Sequence, residues 1–210
     1  MAAASLVLSD DSLVSRLDRA LNRIEYITIV IGGITVFSLM ILAVVSVGGR
    51  NFFNAPLPGY VDWIEQLMPV IAIFGVAYVQ REGGHIRMDL LVGRLRGRAL
   101  WAAEWVTTLA IFILAATLLW GSWTHFGRSF DINMPMWSRD SSIDIGLPVW
   151  PAKLVVPVAL TILNARLLLQ LWAYARAFGR DETHPAALPL IADVATQAAM
   201  EADQVSGRDD

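Results

Sequence analysis

Few residues in this chain have the type and spacing to do chemistry. Asp62, Glu65, Gln66 and Pro69 recur at offsets of three, four and seven, which stacks them on one face of a helix. Carboxylates placed this way could hold an ion or solute, or could form a polar contact between helices near a membrane surface. The three histidines, His85, His125 and His184, do not form a pair inside any apolar run, so axial ligation of a haem is not expected. Neither Gly-x-Ser-x-Gly nor a His/Asp pair at the centre of an apolar run is present, which argues against a nucleophile with its base. The chain has no cysteine, excluding disulfides and thiolate metal centres. Lys153 is the only lysine and no Gly-Lys-Ser/Thr surrounds it, excluding a phosphate loop. The expectation is no catalytic residue, no metal ligand and no cofactor.

The elements that carry these residues are set by the solvent. Of 210 residues, 56% are hydrophobic, and the mean hydropathy of +0.53 is too high for a soluble domain of this size. A formal charge of −3 and a pI near 5.6 speak against nucleic acid as a partner. The apolar residues are bunched into runs about as long as a bilayer is thick. The expected fold is an all-α integral membrane protein with four transmembrane helices, at about 26–49, 60–80, 104–126 and 148–171. The second span carries Asp62 and Glu65 in its first turns. The fourth carries Lys153 and Arg166, about 20 Å apart along a helix. Centred in the hydrocarbon, each of these two cations lies about 5 Å from an interface, within snorkelling reach.

Charge gives the sidedness. With the N-terminus inside, Arg16, Arg19, Arg23, Arg81, Arg87, Arg94, Arg96, Arg98, Arg176 and Arg180 are cytoplasmic, and only Arg50, Arg128, Arg139 and Lys153 are outside. Tryptophans fall at the span boundaries, Trp101, Trp105 and Trp172 inside and Trp63, Trp120, Trp123 and Trp150 outside. Residues 1–11 are expected to be disordered. After Ser12, the expected N-cap, Leu13, Leu17, Leu21 and Ile24 make one apolar face against Arg16, Arg19 and Arg23. This is an amphipathic helix lying on the inner surface, or a cytoplasmic extension of the first span. A second interfacial helix is expected in the inner loop, where Met88, Leu91, Val92 and Leu95 share a face, and a largely disordered cytoplasmic tail at 179–210. Small residues form two seams for close helix contact, Thr28, Gly32, Thr35 and Ser46 in the first span and Thr107, Ala110, Thr117, Gly121 and Thr124 in the third.

Several segments resemble a known family: Arg50-Asn51-Phe52-Phe53-Asn54-Ala55-Pro56-Leu57-Pro58, then Trp63, Glu65, Gln66 and Gly75, then Arg81-Glu82-Gly83-Gly84-His85-Ile86-Arg87-Met88-Asp89. The chain is similar to the DctQ-like small permease subunit of tripartite ATP-independent periplasmic (TRAP) transporters. The Gly-His-Ile-Arg-x-Asp element after the second span is the most specific part, and Leu147-Pro148-Val149-Trp150 with Pro157 resembles the family's last span. Where the usual pattern has paired acids, this chain has Glu65-Gln66, with Asp62 one turn earlier. The resemblance implies a non-enzymatic, multi-pass protein of the bacterial inner membrane. Its implied partners are a large permease subunit, which carries the moving substrate-binding element, and a periplasmic substrate-binding protein, with an ion gradient driving import of an organic acid or similar solute.

On this reading Arg50, Asp62, Glu65, Gln66, Gly84, His85 and Asp89 are interface or structural residues. Gly84 would allow a sharp turn, and His85 and Asp89 could bond across it. The outer loop at 128–153 carries Arg128, Arg139, Asp131, Asp140 and Asp144 beside Met134, Pro135, Met136 and Trp137. It is long for a simple connection, and is expected to touch the large subunit or the docked binding protein, or to form a lid held by its own aromatics. The alternative function is a free-standing four-helix membrane protein, such as a small channel or a membrane anchor for an enzyme.

Overall fold

The computed structural model describes residues 13–55, 57–82 and 98–180. Among these described residues five helices follow in order: α1 (Leu13–Phe53), α2 (Tyr60–Ile73), α3 (Val76–Arg81), α4 (Arg98–Ser129) and α5 (Trp150–Arg180). No strand occurs among the described residues. A 3-10 turn at Pro135–Trp137 and two isolated antiparallel bridges, Phe130 with Ser138 and Ser141 with Pro148, order the loop between α4 and α5. With α2 and α3 taken together as Tyr60–Arg81, four stretches among the described residues are long and apolar enough to cross a membrane.

α1 has 41 residues, about 60 Å at 1.5 Å per residue and twice the ~30 Å hydrocarbon thickness. It runs unbroken from Leu13, so the leucine and arginine faces expected ahead of the first span are its own opening turns. Ser12, the inner-loop helix and the tail beyond 180 lie outside the described residues. At its other end Asn54 takes φ 51° and the Ala55 N–H donates to the Gly49 carbonyl at 3.1 Å, a left-handed cap that satisfies the last turn. A Cβ at Gly49 would stand 2.6 Å from the Ala55 carbonyl oxygen, so this return of the chain requires glycine there.

The second crossing is interrupted at Phe74 and Gly75, between α2 and α3, and not at Pro69, whose missing N–H and ring disturb the turn before it, back to Glu65. The Phe74 carbonyl released by this break accepts the Thr28 hydroxyl of α1 at 3.0 Å. One member of the first seam thereby secures a kink in the next helix.

α5 is the hub. Half of its most apolar stretch is buried, against 11–17% for the other three crossings, so it alone of these has neighbours on most sides. α4 runs along it as the largest interface, while α1, α2 and α3 cover its remaining faces. Leu160, Leu163 and Leu167 of α5 meet Ala77 and Ala115 in one apolar cluster. Val14, Trp101, Leu169, Ala173, Tyr174 and Ala177 form another toward the end of the bundle that holds both described chain ends.

The two small-residue seams point in different directions. In α1, Thr28, Thr35 and Ser46 are buried, so this seam faces the bundle. In α4 the residues buried on α5 are Trp101, Glu104, Thr108 and Ala115, and the row Thr107, Ala110, Thr117, Gly121 and Thr124 is exposed. The hydroxyls of Thr107, Thr117 and Thr124 donate to carbonyls four residues back in their own helix.

Candidate functional site

The polar residues of the bundle gather into two clamps, one at each end. The one called outer, after the side to which the charge pattern of the sequence assigns its loop, joins the start of α2 to the loop between α4 and α5; the other is called inner on the same ground. Asp62 is buried at 3% exposure, and its Oδ2 accepts the Ser142 hydroxyl at 2.6 Å and the Ile145 N–H at 2.8 Å. Ser142 in turn receives the Leu147 N–H at 2.8 Å. One turn along α2, Gln66 Nε2 donates to the Pro148 carbonyl at 2.7 Å. Reciprocally, Asp144 of the loop accepts the Gly59 N–H at 2.8 Å, fixing the residue that starts α2. Gly59 has φ 70°, a left-handed conformation natural to glycine, and its Cα faces the Ile145 side chain.

The loop itself is knit by ion pairs. Arg139 bonds Asp131 at 2.9 Å, and Lys153 of α5 bonds Asp140 at 2.7 Å while also donating to the Ser129 hydroxyl. Ser129 donates to Asp140 as well, which closes a triangle over the end of α4. Behind it, Trp150 Nε1 donates to the Met136 carbonyl at 3.0 Å. This bond pins a strained turn, because Met136 and Trp137 are consecutive non-glycine residues with φ 54° and 57°. Each left-handed residue costs about 1–2 kcal/mol.

Hydrogen bonds from Lys153 and then Ser129 hold the Asp140 carboxyl below its ordinary value of 3.8. A backbone bond from Asn133, followed by the Arg139 guanidinium, does the same for Asp131. A depressed folded value means that the stabilisation is complete above the ordinary value and disappears as pH falls through the folded one. Hydrogen-exchange protection of 130–149, corrected for intrinsic rates, is therefore expected to be level from pH 7 to about 4 and to drop below that. Asp140→Asn should show reduced protection throughout that range. A drop already complete at pH 5 would disprove the role of this carboxylate.

The inner clamp is the larger concentration of charge. Arg166 of α5 is fully buried, and its Nε and Nη2 each meet one oxygen of Glu25 at 2.7 Å. Its Nη1 bonds Asp18, which also receives Nε and Nη2 of Arg81 at 3.2 and 3.0 Å. Two acids from α1 thus neutralise one arginine from α3 and one from α5. Glu82 adds a partly exposed partner to Arg81 at 2.6 Å. Beside this group Gln80 Nε2 donates to Gln170 Oε1 at 2.8 Å, and on the other flank Tyr174 donates to Glu104 at 3.3 Å. Both carboxylates are engaged in the forked geometry that suits guanidinium. Such a group stabilises only while complete, since any unpaired member would be a buried charge.

The positions picked out by sequence separate in space. Asp62 and Gln66 come together on the loop, whereas Glu65 is exposed on α2 and Arg50 is exposed in the last turn of α1. Gly84, His85 and Asp89 lie outside the described residues. Arg166 does not snorkel to the interface as expected, because it turns inward, where two carboxylates replace its hydration. The partners Asp18 and Glu25 were missed. Their offset of seven, placing two acids on one face of a helix otherwise lined by arginine and leucine, was the available signal.

A family model described as "Tripartite ATP-independent periplasmic transporters, DctQ component" matches residues 39–177. Arg81 and Arg166 of the inner clamp, and all of the outer one, fall within that stretch, while Asp18 and Glu25 precede it. No curated protein matches the chain.

Proposed function

Since the chain belongs to the DctQ component family of tripartite ATP-independent periplasmic transporters, a family of transporter parts and not of enzymes, we propose that it is the fixed scaffold of its transporter. It is the small permease subunit, and its family implies a large permease subunit and a substrate-binding protein as partners. In this reading an ion gradient drives import of an organic acid or similar solute through the large subunit. This chain keeps both ends on the cytoplasmic side, contributes rigid helices, and binds no solute of its own.

The observation that carries the reading is the use of its charges. Arg166, Arg81, Asp18 and Glu25 bond one another, and Asp62 bonds the loop, so charge within the helices ties elements together instead of lining a passage. The binding protein would dock on the outer side, within reach of the loop at 128–153. Ile143, fully exposed beyond the outer clamp, is the contact to test by cross-linking from Ile143→Cys.

Reconstitution decides between this and a free-standing channel. The chain alone in vesicles is expected to move no solute under a sodium gradient, and vesicles with both permease subunits should accumulate solute once the binding protein is added. Flux through this chain alone would refute the scaffold reading.

A further inference from the structure

The outer loop has two edges of different character. One carries Asp144, Ile145 and the tip at Ile143, bonded to α2 through Asp62 and Gly59. The other exposes four large apolar side chains, Ile132 (70%), Met134 (47%), Met136 (63%) and Trp137 (53%). The charges beside this second edge are spent internally, Asp131 on Arg139 and Asp140 on Lys153.

This apolar edge is joined to the outward flank of α4 by a run of rings. Trp123 meets Phe126 at 5.7 Å, Phe126 stacks on Phe130 at 5.3 Å, Phe130 meets Trp150 edge-on at 5.5 Å, and Trp150 lies 6.3 Å from Trp137. Trp120, one turn before Trp123, is 79% exposed. Indole rings with one apolar face and one polar edge settle where hydrocarbon meets headgroups. The two left-handed residues, pinned by the Trp150 indole, keep Met136 and Trp137 projecting instead of folding onto the helix ends.

We propose that the 132–137 edge is seated in the boundary between water and lipid on the side where the loop emerges, and that its partner is the bilayer surface. The rings continue the lipid-facing flank of a spanning helix into the loop without a gap, which a surface reserved for a soluble protein would not need. The inference rests on the reading that α4 crosses the bilayer.

The cysteine-free chain makes the test direct. Single cysteines at Ile132, Met136, Ile143 and, midway along α4, Ile113 would carry a fluorophore in the full transporter in vesicles of phosphatidylethanolamine and phosphatidylglycerol brominated at shallow or deep positions. Labels at 132 and 136 are expected to be quenched at least twofold more by shallow than by deep bromines, with the label at 143 unquenched and open to aqueous iodide. Ile132→Cys leaves the strained pair untouched and so guards against misfolding at Met136. Labels at 132 and 136 as open to iodide as the label at 143 would overturn the proposal. So would labels that become shielded only when the binding protein is added, which would assign the edge to protein docking. Loss of deep quenching at 113 would instead remove the spanning reading on which the proposal depends.

Discussion

Replacing Arg166 by methionine is expected to destabilise the bundle by about 3–5 kcal/mol, the cost of breaking a buried ion pair by removing one partner. Glu25, itself fully buried, would lose both of its bonds, and Asp18 would retain only Arg81. Thermal unfolding of the purified chain in detergent reads the loss. Arg166→Lys should recover only a part, because an ammonium cannot meet two carboxylate oxygens and a second acid in one planar fork. The informative partner is Glu25→Met with Arg166→Met. It removes one charge of each sign and leaves the Asp18–Arg81 pair in place, so most of the stability should return. A single Arg166→Met variant within about 1 kcal/mol of the parent would mean that the arginine finds water in the native bundle, contrary to its burial.

The second large effect is expected at Gly59. An alanine there would have to hold φ 70°, at about 1–2 kcal/mol, and its Cβ would lie 2.3 Å from Ile145 Cδ1. Overpacking of this kind adds about 1–3 kcal/mol. The two parts can be separated, because Gly59→Ala with Ile145→Ala relieves the contact and leaves the backbone strain. Proteolysis within 140–149 should be fastest in Gly59→Ala and intermediate in the double variant. Equal rates in the two would show that Ile145 yields without cost.

The four crossings were legible because apolar run length is a local property. The inner clamp was not, for a physical reason that Arg166 illustrates. Hydropathy along one segment weighs an arginine against lipid, and by that measure snorkelling is the cheapest outcome. Whether a second helix supplies carboxylates instead depends on contacts 141 residues apart, to which no single segment refers. Asp62 and Gln66 were found by helical spacing, yet Glu65, equally well spaced, faces outward, since offsets of three and four from Asp62 fall on opposite sides of the line toward the loop. The α4 seam shows the same limit, since small residues mark where a backbone can be approached but do not name the neighbour. The outer loop gave its acids and aromatics to inspection, but not the left-handed pair at Met136 and Trp137, for which neither residue type is a cue.

The separation of Arg166 from its acids also sets a timetable. Ribosomes add about 5–20 residues per second, so Glu25 is made roughly 7–28 s before the arginine that neutralises it, whereas Asp18 also has the earlier Arg81. Through that interval the first helix holds a Glu25 carboxylate without its partner, which hydrocarbon rejects and which keeps its opening turns at the water's edge while the rest of the chain inserts. The last helix then does more than add a fourth crossing: it brings the charge that lets the first one settle against its neighbours.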